Sequence, residues 1–306
     1  MHIKKVKAKS DSLNKILKVV ESKKNITLIN ILKLSKQINF YFERANQSRI
    51  LINELSKSRE IDVEILKPST EDFFSGIKKL FYKKKEIKKQ SHNNLWIYVT
   101  EEEKFQTNSY DKHEKSILKY MNKGDSFIAI GKKAITFVDE HKLNKVLQFE
   151  ENNVETLSKQ LPSFIFNFLK MNGFHRVRFV INSSKIKQNF QEVLPLNEIN
   201  FNLKSNNVRL EEQVKINKLN IYPNINSFIE SELYSYLTYV SLTLLSESAL
   251  IYQKYMLVSQ NQKINDLEKK QKQLKLKIIR VKRENEVEEM SLISSKKDLL
   301  HSNIEE

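Results

Sequence analysis

No glycine or proline occurs in the first 67 residues, and apolar side chains recur there at alternating steps of three and four. Leu13, Val20, Leu34, Tyr41 and Leu55 are multiples of seven apart, and Leu17, Ile31, Ile38, Ala45 and Ile52 interleave with them. A sustained seven-residue repeat makes a helix with one narrow apolar seam, which faces a partner helix along its length. At about 1.5 Å per residue, Leu13 to Leu55 spans roughly 60 Å. A straight helix cannot cover its own seam, so a second long element must accompany it. Residues beyond Pro223 again contain neither breaker. Leu237, Val240, Leu244, Ile251, Tyr255 and Val258 keep one stripe there, and Ile264, Leu267, Leu274, Ile278 and Val281 keep a displaced one. The displacement is expected around Asn261, as a stutter or stammer would produce it.

Only four glycines and four prolines occur in 306 residues. Sandwiches, barrels and Gly-rich nucleotide folds need more turns than that supports. The absence of cysteine excludes disulfides, thiolate metal sites and cysteine nucleophiles. A hydrophobic fraction of 40% is enough for a packed core, and no window approaches the roughly 18 apolar residues of a membrane helix. Met1 to Lys9 is basic, but no apolar run of signal-peptide length follows, so a cytosolic protein is expected. The formal charge is +16, with 53 Lys and Arg against 37 Asp and Glu. The excess of Lys, Asn and Ile is the residue bias of an AT-rich genome, which weakens the charge as evidence for an anionic partner.

Between the two long helices the period changes. Leu95–Val99, Phe127–Ile130 and Val177–Ile181 are short β-branched and aromatic runs that read as strands. Amphipathic stretches near 112–122 and 154–171 alternate with them, which implies βαβ units and a parallel sheet. A further strand is expected over 213–221. The expected class is α/β: a long antiparallel coiled coil of the N- and C-terminal helices plus a Rossmann-like domain with a mainly parallel sheet. The expected segments are a helix at 1–67, a Lys-rich connector at 68–90, an α/β domain at 91–223, a helix at 224–290 and an extension at 291–306. A frayed tail is the favoured form of that extension, ahead of a lengthened rod.

Chemistry is sparse. Six isolated histidines have no ligand spacing, so no metal site is expected. Glu101-Glu102-Glu103 follows a strand end, but adjacent carboxylates point apart, and a solvated loop is the better reading. Gly131-Lys132-Lys133 lacks the glycine spacing of a phosphate loop. No catalytic residue and no cofactor is assigned. The basic residues of the distal helix surround it, and no Phe, Tyr or Trp lies between Met256 and Leu300, so nucleic acid is not an expected partner.

Three sets of residues resemble the gamma subunit of F-type rotary ATP synthases. Near its N-terminus that family carries a segment close to I-K-S-V-x-N-T-x-x-I-T-K-A-M. Here Leu17-Lys18-Val19-Val20 is followed at the same interval by Ile26-Thr27, and the family's methionine falls on Asn30. Toward the C-terminus the family has S-E-x-A-A-R, an Asn, then R-Q-x-x-I-T-x-E. Here Ser246-Glu247-Ser248-Ala249, Asn261 and the run from Lys277 to Glu284 lie on them without a gap. Lys277 replaces the Arg, Ile278 the Gln, Val281 the Ile and Lys282 the Thr, while Glu284 is retained. In the middle, Phe127 to Lys133 is similar to a strand ending I-G-x-K-G, Val193-Leu194-Pro195-Leu196 to L-L-P-L, and Tyr222-Pro223 to Y-E-P. The family's glycine-rich turn after the first strand is replaced by 100–107.

The resemblance implies a non-catalytic rotor shaft standing in a hexameric ring of alpha- and beta-like ATPase subunits. It would lie in the cytoplasm, peripheral to the inner face of the membrane. An epsilon-like subunit and the membrane ring are implied partners too, although the turn that faces them is missing. The implied contact with a beta-subunit loop falls on Lys277, Ile278, Lys282, Ile26, Thr27 and Asn30. Ser246, Glu247, Asn261, Val281 and Glu284 are further matching positions. Two alternatives stay open: a shaft repurposed to drive motility or another surface machine, as in AT-rich wall-less bacteria, and a coiled-coil adaptor or nucleic-acid-binding protein.

Overall fold

The computed structural model describes residues 3–58, 93–101, 109–172, 176–183, 186, 189–196, 221–222 and 224–302. The connector at 68–90, nearly all of the strand expected at 213–221, Pro223 and most of the replaced turn at 100–107 lie outside the described residues. The chain forms two compact units, Met1–Ile29 with Lys254–Glu306, and Asn30–Gln253.

The first unit is built from the start of α1 (Ile3–Ser58) and the distal part of α5 (Ile225–Ser302). On α1, Val6, Ser10, Leu13, Leu17, Val20, Lys24 and Thr27 are the buried or half-buried side chains at three- and four-residue steps. On α5 the facing seam is Leu257, Gln260, Ile264, Leu267, Gln271, Leu274, Ile278 and Val281. Thr27 meets Gln260 and Asn14 meets Gln271, so the partner position rises as the α1 position falls, and the pair is antiparallel. Val258, expected in the seam, is 54% exposed. The stripe has therefore already shifted at Leu257, before Asn261. The terminal extension is not a frayed tail up to Ser302, because α5 continues to that residue. The described side chains from 282 to 294 are all exposed.

The second unit holds a five-stranded sheet of order β3-β2-β1-β4-β5. Its strands are β1 (Asn94–Val99), β2 (Ser126–Ile130), β3 (Asn144–Phe149), β4 (Arg176–Val180) and β5 (Gln191–Leu194). The first four are parallel, and β5 runs antiparallel to β4. Helices α2 (Ser109–Tyr120), α3 (Lys132–Glu140) and α4 (Val154–Asn172) connect them. β1 is buried at every position, because successive side chains point into opposite cores. Leu95, Ile97 and Val99 pack with Leu157, Leu161, Ile165, Ala45, Ile52 and Leu237. Trp96 and Tyr98 pack with Ile117, Phe127, Ala134 and Phe137. The expected class and its mainly parallel sheet are therefore observed. β3, β5 and α3 were not expected from the sequence.

The start of the sheet is tied by one carboxylate. Asp125 is buried and accepts from the Asn94 backbone N–H at 2.8 Å and Asn94 Nδ2 at 2.8 Å. It also accepts from Trp96 Nε1 at 2.7 Å and the Asn122 backbone N–H at 2.9 Å. On the neighbouring helix, His113 is buried and its Nδ1 lies 3.1 Å from the Asn189 carbonyl, while Asn189 Nδ2 donates to Ser116 Oγ at 2.9 Å. Those contacts pin the segment before β5 to α2.

Replacing Asp125 by Ala strands several buried donors, and urea unfolding should show a loss of about 3 kcal/mol, with Asp125→Asn in between. An Asp125→Ala variant as stable as the parent would refute that role. For His113, burial lowers the pKa below its ordinary value, and the Asn189 carbonyl opposes this. The unfolded chain therefore binds the proton more readily, so the stability this group gives is full above the unfolded pKa and is lost as pH falls through the folded one. Melting temperature should drop between about pH 7 and about pH 5, and His113→Gln should flatten that drop.

Candidate functional site

The residues singled out for partner contact fall into separate groups. Lys277 and Lys282 are exposed on α5, flanking Ile278 and Val281, which turn half-buried into the seam. Glu284 follows, exposed, and Asn261 is half-buried. On α1, Ile26 is exposed, but Thr27 is only 3% exposed. The Thr27 hydroxyl donates to the Lys23 carbonyl at 3.0 Å, lies 3.7 Å from the Met256 sulfur and accepts from Gln260 Nε2 at 3.1 Å. Thr27 thus occupies a seam position, and its hydroxyl is used inside the helix pair. Along α5, Gln260 and Lys277 are about 25 Å apart at 1.5 Å per residue. Within this unit, then, Ile26 and Thr27 are not brought together with Lys277 and Lys282. They mark two levels of one rod.

The second unit holds the other matching positions. Asn30 is half-buried on α1. Ser246, Glu247 and Ser248 are buried on α5. Glu247 Oε1 accepts from Ser183 Oγ at 3.1 Å, and Ser248 Oγ donates to Glu101 Oε1 at 2.9 Å. Tyr236, also on α5 and buried, donates to the Val193 carbonyl at 2.9 Å, and burial raises its phenol pKa. These residues attach α5 to the ends of β1, β4 and β5.

Glu101 is the residue that sequence reasoning passed over as solvated loop. It also accepts from Asn152 Nδ2 at 2.6 Å, and its backbone N–H donates to Tyr110 Oη at 2.9 Å. Its position just after a parallel strand was the available signal. Its partners, 51 and 147 residues away, were invisible. A cavity of about 1050 Å³ opens beside it, lined by Thr100, Glu101, Gly131, Lys132, Lys133 and Glu150 among others. Gly131 is there for backbone reasons. Its φ is +90°, and a Cβ would lie 2.3 Å from the Thr100 carbonyl oxygen. Thr100 Oγ1 accepts from the Ala134 N–H at 3.1 Å, so that hydroxyl already occupies the start of α3. Nearby, Tyr98 donates to Glu114 Oε1 at 3.2 Å, and burial raises its pKa. Among the described residues, no group of three His, Asp or Glu side chains is placed to hold a metal ion.

No protein-family model matches the chain. The uncharacterized protein UU050 of Ureaplasma parvum serovar 3 is 32% identical over 296 residues, covering 96% of this chain and 94% of that one. The solved structures that this chain is similar to include chains of ATP synthase rotor and central-stalk structures. One is from the Euglena gracilis mitochondrial ATP synthase rotor, at 12% identity and TM-score 0.42, covering 92% of this chain and 98% of that one. Another is from the same enzyme's OSCP/F1/c-ring structure, at 13% identity and TM-score 0.44, covering 98% and 95%. A third, from the central stalk and c-ring of the Tetrahymena thermophila enzyme, has 11% identity and TM-score 0.36, covering 78% and 98%.

The Thr27 level carries its own test. Gln260 donates to Thr27, but its Oε1 is buried without a partner. A buried acceptor left unpaired costs free energy, so Gln260→Leu should stabilise the helix pair by about 1 kcal/mol in urea melts followed by circular dichroism. Destabilisation by Leu would mean that the amide is worth more to the pair than this geometry implies.

Proposed function

The chain belongs to the same family as the uncharacterized Ureaplasma parvum protein, and we propose that it is the central rotor shaft, a gamma-like subunit, of a rotary F-type ATPase. The observation that carries this reading is the ordered, ungapped match along one helix. Ser246 and Glu247 anchor α5 at one end of the match, Asn261 follows, and Lys277 to Glu284 close it on the distal part. At that distal level the two cations stand exposed on either side of the seam, while Ile278 and Val281 face the partner helix. The rod therefore presents charge at the positions where the resembling family presents its Arg and Thr.

In this reading the alpha- and beta-like subunits of a hexameric ring bind and hydrolyse or synthesise ATP, and this chain is non-catalytic. Its asymmetry makes chemically identical sites unequal, which is a coupling free energy carried by a rigid element. Lysine delivers a point charge without the planar two-donor fork of arginine, and Ile278 offers no hydrogen bond at all. The contact with an acidic loop of the ring is therefore more electrostatic, and more salt-sensitive, than one built on Arg and Gln. The shaft works in the cytoplasm, peripheral to the inner face of the membrane, as part of the complex.

One sequence observation favours a second form of the same reading. Residues 100–107 contain no glycine, where the resembling family keeps a glycine-rich turn facing the foot of the shaft. That loss fits a shaft whose load is something other than a membrane ion ring, such as a surface or motility machine.

Purification of the native chain with its partners separates the readings. Ring-forming ATPase subunits support a shaft, and a co-purifying proteolipid ring supports a synthase. Neither would sink both and leave an adaptor. Lys277→Glu with Lys282→Glu should leave assembly intact but reduce coupled turnover and torque about tenfold, because like charges then face the ring. Normal torque in that variant would remove these two residues from the contact.

A further inference from the structure

The face of α5 turned away from α1 has a repeat of its own. Leu276, Ile279, Arg283, Glu286, Met290 and Ile293 follow at steps of three, four, three, four and three. All six are exposed, and the four apolar ones are 48% to 70% exposed. At 3.6 residues per turn this stripe lies on average about 130° around the helix from the seam of Leu267, Gln271, Leu274, Ile278 and Val281, and so on a different face. It spans about 25 Å and ends at Lys272 on one side and Lys297 on the other. A repeat of this kind on an exposed face is the pattern of a helix with a second partner.

The charges of the stripe say what kind of partner. We propose that this face pairs, antiparallel and about a two-fold axis, with the same face of a second copy of the chain. In an antiparallel pair, the first position of each repeat lies opposite the fourth position of the partner's repeat. With that register Leu276 meets Ile293, Ile279 meets Met290, and Arg283 meets Glu286, and the two-fold axis repeats each contact. Two charge pairs then sit at the centre, between apolar layers. Lys282 flanks them opposite Glu289, again twice. A parallel pair would set Arg283 against Arg283 and Glu286 against Glu286 in the seam, so the charges select the antiparallel arrangement. The stripe is self-complementary in one orientation only.

This pairing stands independently of the shaft reading. If that reading holds, Lys282 has two uses that exclude each other, and the paired form belongs to the chain before it joins a ring.

The test is the oligomeric state of the full chain. At about 50 µM and low salt, sedimentation equilibrium should give a mass near twice 36.2 kDa. Arg283→Glu alone, or Glu286→Arg alone, places like charges opposite each other and should weaken association by about tenfold or more. The double swap, Arg283→Glu with Glu286→Arg, should restore it. An equimolar mixture of the two single variants should also recover the dimer, as a mixed pair, while each alone stays monomeric. All three variants alter exposed positions, and unchanged helical circular dichroism verifies that they fold. A monomeric parent chain, single variants that dimerise as well as the parent, or a double swap that fails to restore the dimer would each overturn the proposal.

Discussion

A helix cannot bury a stripe along its own length. α5 runs for 78 residues and α1 for 56, each with a seam at heptad spacing, so neither is stable in water without a partner. In the first unit the partner is supplied by the same chain, and the contacts of Thr27 with Gln260 and of Asn14 with Gln271 set the pairing antiparallel. α1 begins at Ile3, close to the level of Val281. Past that level the described side chains of α5, from 282 to 294, are all exposed.

Apolar seams of this kind carry little register information, because a slip by one repeat sets leucine against isoleucine again. Polar residues in the seam supply what is missing. Thr27 with Gln260, and Asn14 with Gln271, form hydrogen bonds at two levels that a slipped pair would break. Polar groups in a coiled-coil seam weaken it while fixing its alignment. The shaft proposed above would need that exchange, since a rod free to slip along its partner stores no angle.

The same polar residues mark where the sequence stops being legible. The heptads of α1 could be read wherever Leu, Ile, Val, Tyr or Ala occupied them, and the gaps in the two sets fell on Lys24, Thr27 and Ser48. Hydropathy cannot tell a polar seam residue from a solvated one. The strands β1, β2 and β4 were legible to within a residue: β1 and β2 are apolar at all but their first position, as strands buried on both faces must be, and β4 alternates Arg with Val and Phe before Val180. β3 reads Asn144-Lys145-Val146-Leu147-Gln148-Phe149 with partly exposed side chains, and β5 has only four residues, so neither carried enough pattern. Glu101 was missed for a different reason, since an acidic triplet is equally compatible with solvent and with a latch to Asn152 and Ser248. The sequence placed Lys277 and Lys282 on a helix, and the structure added which side of it each occupies. The extension past 290 escaped because its apolar residues continue the outward stripe and not the inward seam.

Charge order carries information that charge total does not. From Lys269 to Arg283 α5 has eight cations and no carboxylate, and from Glu284 to Glu289 it has four carboxylates and no cation. An AT-rich codon bias raises the number of lysines, but it cannot place a reversal of sign between Arg283 and Glu284. Exposed charges like these add little to the stability of a helix. Their order therefore bears on what the helix meets: a basic level suited to acidic loops, an acidic tip beyond it, and between them a stripe whose central Arg and Glu complement their own image. In both proposals made above, the partner is selected on a face of α5 that the helix pair leaves uncovered.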